Sequence, residues 1–311
     1  MSVAARRTAR AAAPARRRRR APVLIGLIIL VGLLFGARQL IHHDAPVTEH
    51  AQAAATAAGE SSPSPTPTTA DSGLQRSISD WAAQQSFSTS VVVHELTGQH
   101  RSASYQPTAS VVPASTYKIY VADAVLHGVE QGTYTLTTTT DDGHDIQTDL
   151  SNMILNSDND AARTLGFMVG WKNINALLQT QGATATNLYN YVPPSTQPVG
   201  DKHTTAQDLA TITTKLYAGQ LLNPSHTQLL LGLMKQQHYR ERIPAGVPSG
   251  VAVADKPGWL SPADGENGYI ENDAAIVYGP KSTYLLVVTT TSHTTQPLAS
   301  LSKLIYQRLE S

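Results

Sequence analysis

The stretch Ser115-Thr-Tyr-Lys118 places a hydroxyl and an amine three residues apart, directly after the segment Pro107-Thr-Ala-Ser-Val-Val-Pro-Ala114. If a helix begins near Ser115, positions i and i+3 lie on one face, so the Lys118 amine can reach the Ser115 hydroxyl. A serine is a weak nucleophile until a neighbouring base accepts its proton. A lysine can be that base when burial or a second cation lowers its pKa toward neutrality. The alternative is an ordinary helix start, because such a tetrapeptide also occurs by chance.

Two further segments favour the catalytic interpretation. Ser157-Asp-Asn159 follows an apolar, helix-like run over 150–155, and Lys256-Pro-Gly258 follows the strand-like Val251-Ala-Val-Ala-Asp255. A serine–lysine tetrad, then Ser-Asp-Asn, then a Lys-Thr-Gly triplet on a late strand is the signature of class A β-lactamases and penicillin-binding proteins. The sequence resembles this family in motif order and context, although Pro257 replaces the usual threonine or serine.

The secondary structure expected from the sequence fits the fold of this family. Strands are expected over 90–98, 100–105, 251–256, 272–278 and 283–290. Helices are expected over 75–85, 115–128, 146–156, 160–168, 173–181, 205–218, 225–234 and 297–309. The resemblance covers 73–311 and implies an α+β, β-lactamase-like fold. An antiparallel five-stranded sheet built from both chain ends packs with helices beside an all-helical lobe, and the site is expected between them.

The resemblance implies a role for each polar motif residue. Ser115 is the expected nucleophile, which becomes acylated, and Lys118 receives its proton directly or through water. Lys256 is expected to approach from the sheet, where a second ammonium depresses the pKa of Lys118 and attracts a substrate carboxylate. Ser157 is expected to relay a proton to the leaving nitrogen as a general acid. Asn159 is expected to hold Lys118 and the amide of the substrate.

The third motif is expected to complete the site from its strand. The resemblance implies that the backbone N–H groups of Ser115 and Trp259 bind the oxyanion, and that Gly258 lets the substrate approach closely. Pro257 has neither an N–H nor a hydroxyl, so it is tolerated only where sheet pairing does not need that N–H. Asp158, in the second motif, is expected to be structural and to hold its turn.

The segment 187–203 departs from the family pattern. Class A β-lactamases carry a glutamate in this loop, which activates the water that hydrolyses the acyl-enzyme. The segment contains no glutamate, and an ungapped placement from His203 puts Asn190 at that position. An asparagine cannot accept a proton at neutral pH. Asp201 is the only acid in the segment; a structural role is expected for it, with a displaced base as the alternative.

The N-terminus has the pattern of a membrane anchor. Residues 1–20 form a basic tail with eight arginines and no acid, and residues 21–37 are 17 uncharged, mostly apolar residues. This length is the short end of a transmembrane helix, and the arginines orient the N-terminus toward the cytoplasm. A cleaved signal peptide is the alternative, although the small residues at 51–57 lie too far beyond the apolar run. We therefore expect a single-pass protein of the cell membrane with an extracytoplasmic catalytic domain.

Composition divides the rest of the chain into a linker and one domain. Residues 38–72 are rich in proline, serine, threonine and alanine, and are expected to be a disordered linker. Residues 73–311 are long enough to bury a sizeable core. The net charge is zero although the N-terminal tail is basic. The domain is therefore acidic, which argues against nucleic-acid binding.

No cofactor and no metal site is expected. The chain has no cysteine, and none of its eleven histidines has the His-x-x-x-His spacing of many zinc sites. The expected partners are a β-lactam or peptidoglycan stem-peptide substrate and, through the N-terminal helix, the membrane. The domain is expected to be a monomer.

Three functions fit these observations. The first is a membrane-anchored, class A β-lactamase-like serine hydrolase that opens an amide through an acyl-serine, with slow deacylation. The second is a D,D-peptidase-like penicillin-binding enzyme, and the third is a non-catalytic sensor of β-lactams or of the cell wall. The set Ser115, Lys118, Ser157 and Lys256 favours an enzyme, whereas the missing glutamate argues against efficient β-lactam hydrolysis.

Overall fold

A six-stranded sheet lies at the centre of the described chain, which comprises residues 68–188, 202–264 and 268–311 of a computed structural model. Its strands are β1 (Thr69–Ala70), β2 (Thr89–Glu95), β3 (Arg101–Tyr105), β4 (Ala252–Leu260), β5 (Ile270–Tyr278) and β6 (Thr283–Thr290). The order across the sheet is β1-β3-β2-β6-β5-β4. The five expected strands pair in antiparallel fashion, and the unexpected two-residue β1 adds a parallel edge to β3. The expected α+β architecture, with a sheet built from both chain ends, is confirmed.

Eight α-helices formed by the described residues cover the two faces of the sheet. They are α1 (Ser72–Ala83), α2 (Lys118–Glu130), α3 (Ile146–Leu155), α4 (Asn159–Val169), α5 (Trp171–Gln181), α6 (Ala206–Tyr217), α7 (Pro224–Lys235) and α8 (Gln296–Leu309). Helices α1 and α8 pack together on one face, and α2 to α7 form the helical lobe on the other. Two hydrophobic cores therefore lie on opposite sides of the same sheet.

The central strands are apolar on both faces because each face covers a core. In β2 the side chain of Val92 belongs to the core of the helical lobe, whereas Val91 and Val93 belong to the core under α1 and α8. All three are fully buried. Successive side chains of a strand point to opposite faces, so an uninterrupted valine run is what a strand between two cores requires.

The helix expected over 115–128 differs at both ends. Its first turn is a tight 3-10 turn, Ala114–Tyr117, and α2 follows it from Lys118 to Glu130. The helix continues two residues past Gly128, where the sequence analysis predicted its end. A Cβ at Gly128 would lie 2.8 Å from the ring of Tyr134, so the glycine is required by side-chain packing and not by a helix end.

The boundary predicted between the linker and the domain differs from the one in the structure. The first two elements, β1 and α1, begin inside the predicted linker, at Thr69 and Ser72. Within the described residues no helix is long and apolar enough to span a membrane. The basic tail, the predicted anchor at 21–37 and most of the predicted linker lie outside the described residues, as do Asn190 and Asp201.

Candidate active site

Three separated segments of the chain meet at the start of α2. The turn Ala114–Tyr117 carries Ser115, and Lys118 is the first residue of α2. The connection between α3 and α4 supplies Ser157, and β4 supplies Lys256. Hydrogen bonds join the four side chains. We call Ser115, Lys118, Ser157 and Lys256 the reactive cluster.

Lys118 lies at the centre of the reactive cluster and is fully buried. Its Nζ donates to the Ser157 carbonyl oxygen at 2.5 Å and to Asn159 Oδ1 at 2.8 Å, and it lies 3.0 Å from Ser115 Oγ. A neutral amine has two N–H donors and one lone pair. The two carbonyl acceptors use both donors, so the lone pair is left for the Ser115 hydroxyl, as a general base requires.

Burial and neighbouring cations favour the neutral form of this amine. Burial is the main reason that the pKa of Lys118 falls to about 6, and the charges of Lys256 and Lys202 lower it further. Burial also lowers the pKa of Lys256 to about 7, although the carboxylates of Asp255 and Asp273 act in the opposite direction. Near neutral pH, Lys118 is therefore a mainly unprotonated amine beside a hydroxyl.

Ser157 connects the two lysines. Its Oγ lies 3.2 Å from the Nζ of Lys118 and 3.0 Å from the Nζ of Lys256. The next residue, Asp158, caps α4 by accepting from the backbone N–H groups of residues 160 and 161, which agrees with the structural role expected for it. Ser157 is thus positioned to pass a proton between either lysine and a group in the cleft.

The backbone is strained at one residue of the reactive cluster and at one residue next to it. Ala114, directly before the nucleophile, has φ of 46°, and Ser157 has φ of 55°. Non-glycine residues rarely adopt this region, and each such residue costs about 1–3 kcal/mol. The surrounding contacts must therefore hold both segments in place.

Asn272 on β5 supplies one of these contacts, and the sequence analysis missed it. Its side-chain amide donates to the carbonyl oxygens of Val112 and Pro113, at 2.9 and 3.2 Å. Thr116 Oγ1 donates to the same carbonyl of Pro113 at 2.6 Å. These bonds tie the turn that carries the nucleophile to the sheet, so Asn272 is a positioning residue.

Gly258 allows β4 to lie directly against the turn of the nucleophile. A Cβ at Gly258 would lie 2.5 Å from the backbone nitrogen of Ser115 and 2.7 Å from that of Thr116. Neither backbone atom can give way to a side chain. The glycine is therefore needed for contact with the nucleophile's own turn, whereas the sequence analysis assigned it to contact with the substrate.

Pro257 fits into β4 because β4 is an edge strand. It lies opposite Asp273 of β5, and among the described residues no strand pairs with the other side of β4. Backbone groups alternate between the two sides of a strand. A proline is therefore tolerated where its backbone nitrogen faces away from β5. By the same alternation, we expect the N–H of Trp259, two residues further on, to face away from β5 as well. Trp259 and Ser115 line one cleft, which is the arrangement that an oxyanion site requires.

The indole of Trp259 is fixed by two side chains that the sequence analysis did not identify. The ring of Tyr239 lies edge-on to it at 4.8 Å, and the Arg242 guanidinium lies 4.8 Å from its centroid. Arg242 in turn pairs with Glu271 at 2.6 Å. The end of β4 is thus held in register beside the cleft.

The cleft over the reactive cluster has a volume of about 350 Å³. Four residues named by the sequence analysis line it: Ser115, Ser157, Asn159 and Trp259. Lys118, Lys256 and Gly258 lie buried beside them. The structure therefore brings all seven expected site residues together, while their chemical roles stay predictions.

Known proteins match this architecture. The sequence profile of the β-lactamase enzyme family matches residues 73–309. The chain belongs to this family. It is therefore a serine hydrolase of the β-lactamase type.

Solved structures with the same fold include a penicillin-binding protein and β-lactamases. PBP-A is 22% identical, with a TM-score of 0.70 over 79% of this chain and 99% of its own. An ancestral class A β-lactamase is 22% identical, with a TM-score of 0.66 over 76% of this chain and 99% of its own. The β-lactamase of Desulfarculus baarsii is 18% identical, with a TM-score of 0.66 over 77% and 98%. A comparison with curated proteins gives no match.

Seven described residues of this β-lactamase family member line the cleft without having been expected there, and three of them, Tyr117, Trp171 and Lys202, lie together. The Tyr117 and Trp171 rings lie 6.2 Å apart, and the Nζ of Lys202 lies 3.9 Å from the centre of the Tyr117 ring. Tyr117 occupies a position that the first motif leaves variable, and the other two belong to no motif. No sequence pattern could therefore have identified them.

A group of possible metal ligands lies around the start of α3. Ligand atoms of Asp142, His144 and Asp149 lie within 4.8 Å of one another. Thr140 Oγ1 lies 2.7 Å from an oxygen of each carboxylate, and His144 Nδ1 lies 3.2 Å from Asp149. These mutual hydrogen bonds account for the arrangement, and none of the three residues lines the cleft.

The lowered pKa of Lys118 predicts how acylation depends on pH. Below about pH 6 the amine is protonated and cannot accept the Ser115 proton; above that pH it is neutral. The second-order rate of acylation by benzylpenicillin should therefore rise as the pH increases through about 6. In the control Lys118→Arg, the guanidinium remains protonated, so the rate should fall and lose this inflection. An inflection that survives in Lys118→Arg would show that another group titrates.

Proposed function

We propose that the chain is a membrane-anchored serine hydrolase that forms an acyl-serine from β-lactam or peptidoglycan-type amides and releases the acyl group slowly. The observation that carries this proposal is the environment of the Lys118 amine. Its Nζ contacts the carbonyl oxygens of Ser157 and Asn159 and lies 3.0 Å from the Ser115 hydroxyl oxygen. A neutral amine can donate both N–H groups to the two carbonyl oxygens and direct its lone pair to the hydroxyl. This arrangement activates a serine without a histidine or a metal ion.

Acylation follows from this geometry in two steps. Ser115 Oγ forms a bond to the amide carbonyl carbon, and its proton passes to the Nζ of Lys118. The negative oxygen of the tetrahedral intermediate accepts from the backbone N–H groups of Ser115 and Trp259. The C–N bond then breaks, and the leaving nitrogen takes the proton of Ser157 Oγ. Lys118, at 3.2 Å, returns the proton to that oxygen, so the amine ends neutral.

Two further residues are proposed to hold the substrate. Asn159 Oδ1 accepts from Lys118, so the Asn159 amide N–H groups are directed elsewhere and can donate to a carbonyl of the substrate. The Lys256 ammonium attracts the substrate carboxylate, and a bound carboxylate would in turn raise the pKa of Lys256 above about 7. Lys256 then remains protonated during acylation.

Slow deacylation is supported by the loop sequence. No glutamate occurs between residues 187 and 203, and Asn190 falls where the family carries its general base. Among proteins of the same fold, a mutant PBP-A was solved as an acyl-enzyme complex with penicillin G. That protein is a precedent for an acyl-serine that lasts long enough to be observed.

The missing glutamate also favours a second candidate, a D,D-peptidase-like penicillin-binding enzyme. Such an enzyme acts on peptidoglycan stem peptides, and β-lactams only trap its serine. A non-catalytic sensor that is acylated once would lack the base in the same way. The reactive cluster supports acylation in all three cases, and the fate of the acyl group distinguishes them.

The proposed location is the outer side of the cell membrane. Eight arginines precede the uncharged run 21–37, and this charge asymmetry orients a single-pass helix with its C-terminal domain outside the cytoplasm. A monomer is sufficient for the proposed chemistry, because one chain supplies the whole reactive cluster.

One experiment tests both parts of the proposal. Membrane and soluble fractions of cells that express the full-length chain are incubated with a fluorescent penicillin and separated by gel electrophoresis. A labelled band at the full mass of 33.2 kDa should be found in the membrane fraction. Absence of labelling would contradict the acyl-serine, and a shorter labelled band confined to the soluble fraction would contradict the anchor.

A further inference from the structure

A second cavity lies at one end of the sheet, beside the segment that leads to the nucleophile. Its volume is about 360 Å³, close to that of the catalytic cleft. It is bounded by the start of β2, the start of β5, the end of β6 and the segment 106–112. None of the described residues that line it also lines the cleft. The cavity is therefore a separate space and not an extension of the catalytic site.

The lining of this cavity is uncharged and changes from polar at the mouth to apolar at the walls. Its exposed residues are polar and form the mouth: Ser88, Gln106, Ser110 and Thr291. Its half-buried residues are aliphatic and form the walls: Ala109, Val111, Val112 and Ile270. None of the described lining residues carries a charge. An ionised ligand would lose hydration here without gaining a counter-ion, so the lining favours a neutral ligand with an apolar body.

The floor of the cavity contains a buried hydroxyl, on Thr289, that has no hydrogen-bond partner among the described residues. Thr289 is only 1% exposed. Side chains alternate along β6, so Thr289 lies on the same face as Val287, which belongs to the core of the helical lobe. Asn272 lies directly opposite Thr289 on β5 and also lines the cavity. The hydroxyl is therefore directed to the side of the sheet on which Asn272 reaches Val112.

Neighbouring polar groups at the floor are already paired within the protein. The Asn272 amide donates to the carbonyl oxygens of Val112 and Pro113, and its Oδ1 accepts from the backbone N–H of Thr290 at 3.2 Å. Thr290 Oγ1 donates to a backbone carbonyl of β5 at 2.9 Å. The Thr289 hydroxyl, in contrast, is left to pair with a ligand. A hydroxyl both donates and accepts, so an amide or a hydroxyl group on the ligand would satisfy it.

We propose that this cavity is a second ligand site, which binds neutral small molecules with an apolar body and one amide or hydroxyl group. The site does not depend on the proposed acyl-serine chemistry. Its wall nevertheless continues into the nucleophile's turn, because the Asn272 side chain that holds Val112 also holds Pro113. A bound ligand consequently packs against the contacts that position Ser115.

Benzamide and benzoate are matched probes for this site, because they have the same ring and a planar head group and differ in charge. Isothermal titration calorimetry with the full-length protein should give a dissociation constant of about 1 mM for benzamide, as expected for so small a molecule. Benzoate should bind at least about tenfold more weakly, since its carboxylate loses hydration in a cavity whose described lining has no cation.

Two variants locate the bound probe. Thr289→Val keeps the size of the side chain and removes the hydroxyl, so benzamide should bind about tenfold more weakly. The control Thr283→Val makes the same change at the other end of β6, outside the cavity, and should leave the affinity unchanged. Ala109→Leu extends a wall residue into the cavity and should abolish binding of benzamide.

These measurements need no penicillin, so they do not depend on whether Ser115 can be acylated. No detectable binding of benzamide, or equal affinity for benzamide and benzoate, would overturn the proposal. Benzamide affinity that is unchanged in both Thr289→Val and Ala109→Leu would place the probe elsewhere on the protein, the catalytic cleft included, and would overturn it too.

Discussion

Ser115→Ala is expected to abolish covalent labelling by penicillin. The Ser115 hydroxyl lies 3.0 Å from the Lys118 amine and lines the same cleft as Trp259, so we expect it to combine a base with an oxyanion site. In serine hydrolases, removal of the nucleophile costs about 10⁶-fold in rate, which places labelling below detection. Intact-mass measurement of the full-length protein with benzylpenicillin should show one added penicillin in the wild type and none in the variant.

Ser157→Ala is the matched control, because Ser157 is the other hydroxyl near the base. Its Oγ lies 3.2 Å from the Nζ of Lys118, so distance alone makes it a competing nucleophile. We expect this variant to be labelled still, but about 10²–10⁴-fold more slowly, since it lacks only the proton relay. If labelling survives Ser115→Ala and disappears in Ser157→Ala, the two serines have exchanged roles.

The acyl-enzyme is expected to persist for minutes or longer. Loss of a positioned general base costs about 10²–10⁴-fold in the step that it serves, and the ungapped placement from His203 puts Asn190 at the position of that base. Benzylpenicillin should therefore give a stoichiometric burst followed by slow turnover. Mass measurements over time, after removal of free penicillin, give the lifetime directly. Asn190→Glu should shorten it.

Asn190→Gln controls for the size of the new side chain, because glutamine has the shape of glutamate but cannot accept a proton at neutral pH. It should leave the lifetime of the acyl-enzyme nearly unchanged. Rapid hydrolysis by the wild type without a detectable adduct would contradict the prediction and would point to another base. Asp201→Asn would then identify whether the only acid of that segment supplies it.

The elements of the fold could be predicted because their signals are local. The helix expected over 146–156 is found as Ile146–Leu155, and the strand expected over 283–290 as Thr283–Thr290. Hydrophobic period and turn residues within a short window determine such elements. The motifs likewise named Ser115, Lys118, Ser157 and Lys256, which lie together in the structure. Their chemical roles stay predictions until the variants are measured.

The features that the sequence analysis missed depend on tertiary contacts that no local sequence pattern indicates. Asn272 donates to the Val112 carbonyl across 160 residues of sequence, and no pattern near either residue indicates this bond. Gly128 looks like a helix end until Tyr134 is seen to pack on it. Lys202 belongs to no motif, and only the position of the Tyr117 ring relates it to the cleft. Asn272 and Lys202 depend on contacts between segments remote in sequence, and Gly128 depends on the packing of a side chain six residues away.

The bond from Asn272 and the fit of Gly258 also determine when the protein can become reactive. Ser115 and Lys118 are synthesised well before β4 and β5, yet the strained turn beside them is held by residues of those late strands. Contacts between segments far apart in sequence form slowly during folding. A partly synthesised or partly folded chain therefore carries the nucleophile and its base without the support that aligns them. Chemical competence is thus acquired only at the end of folding.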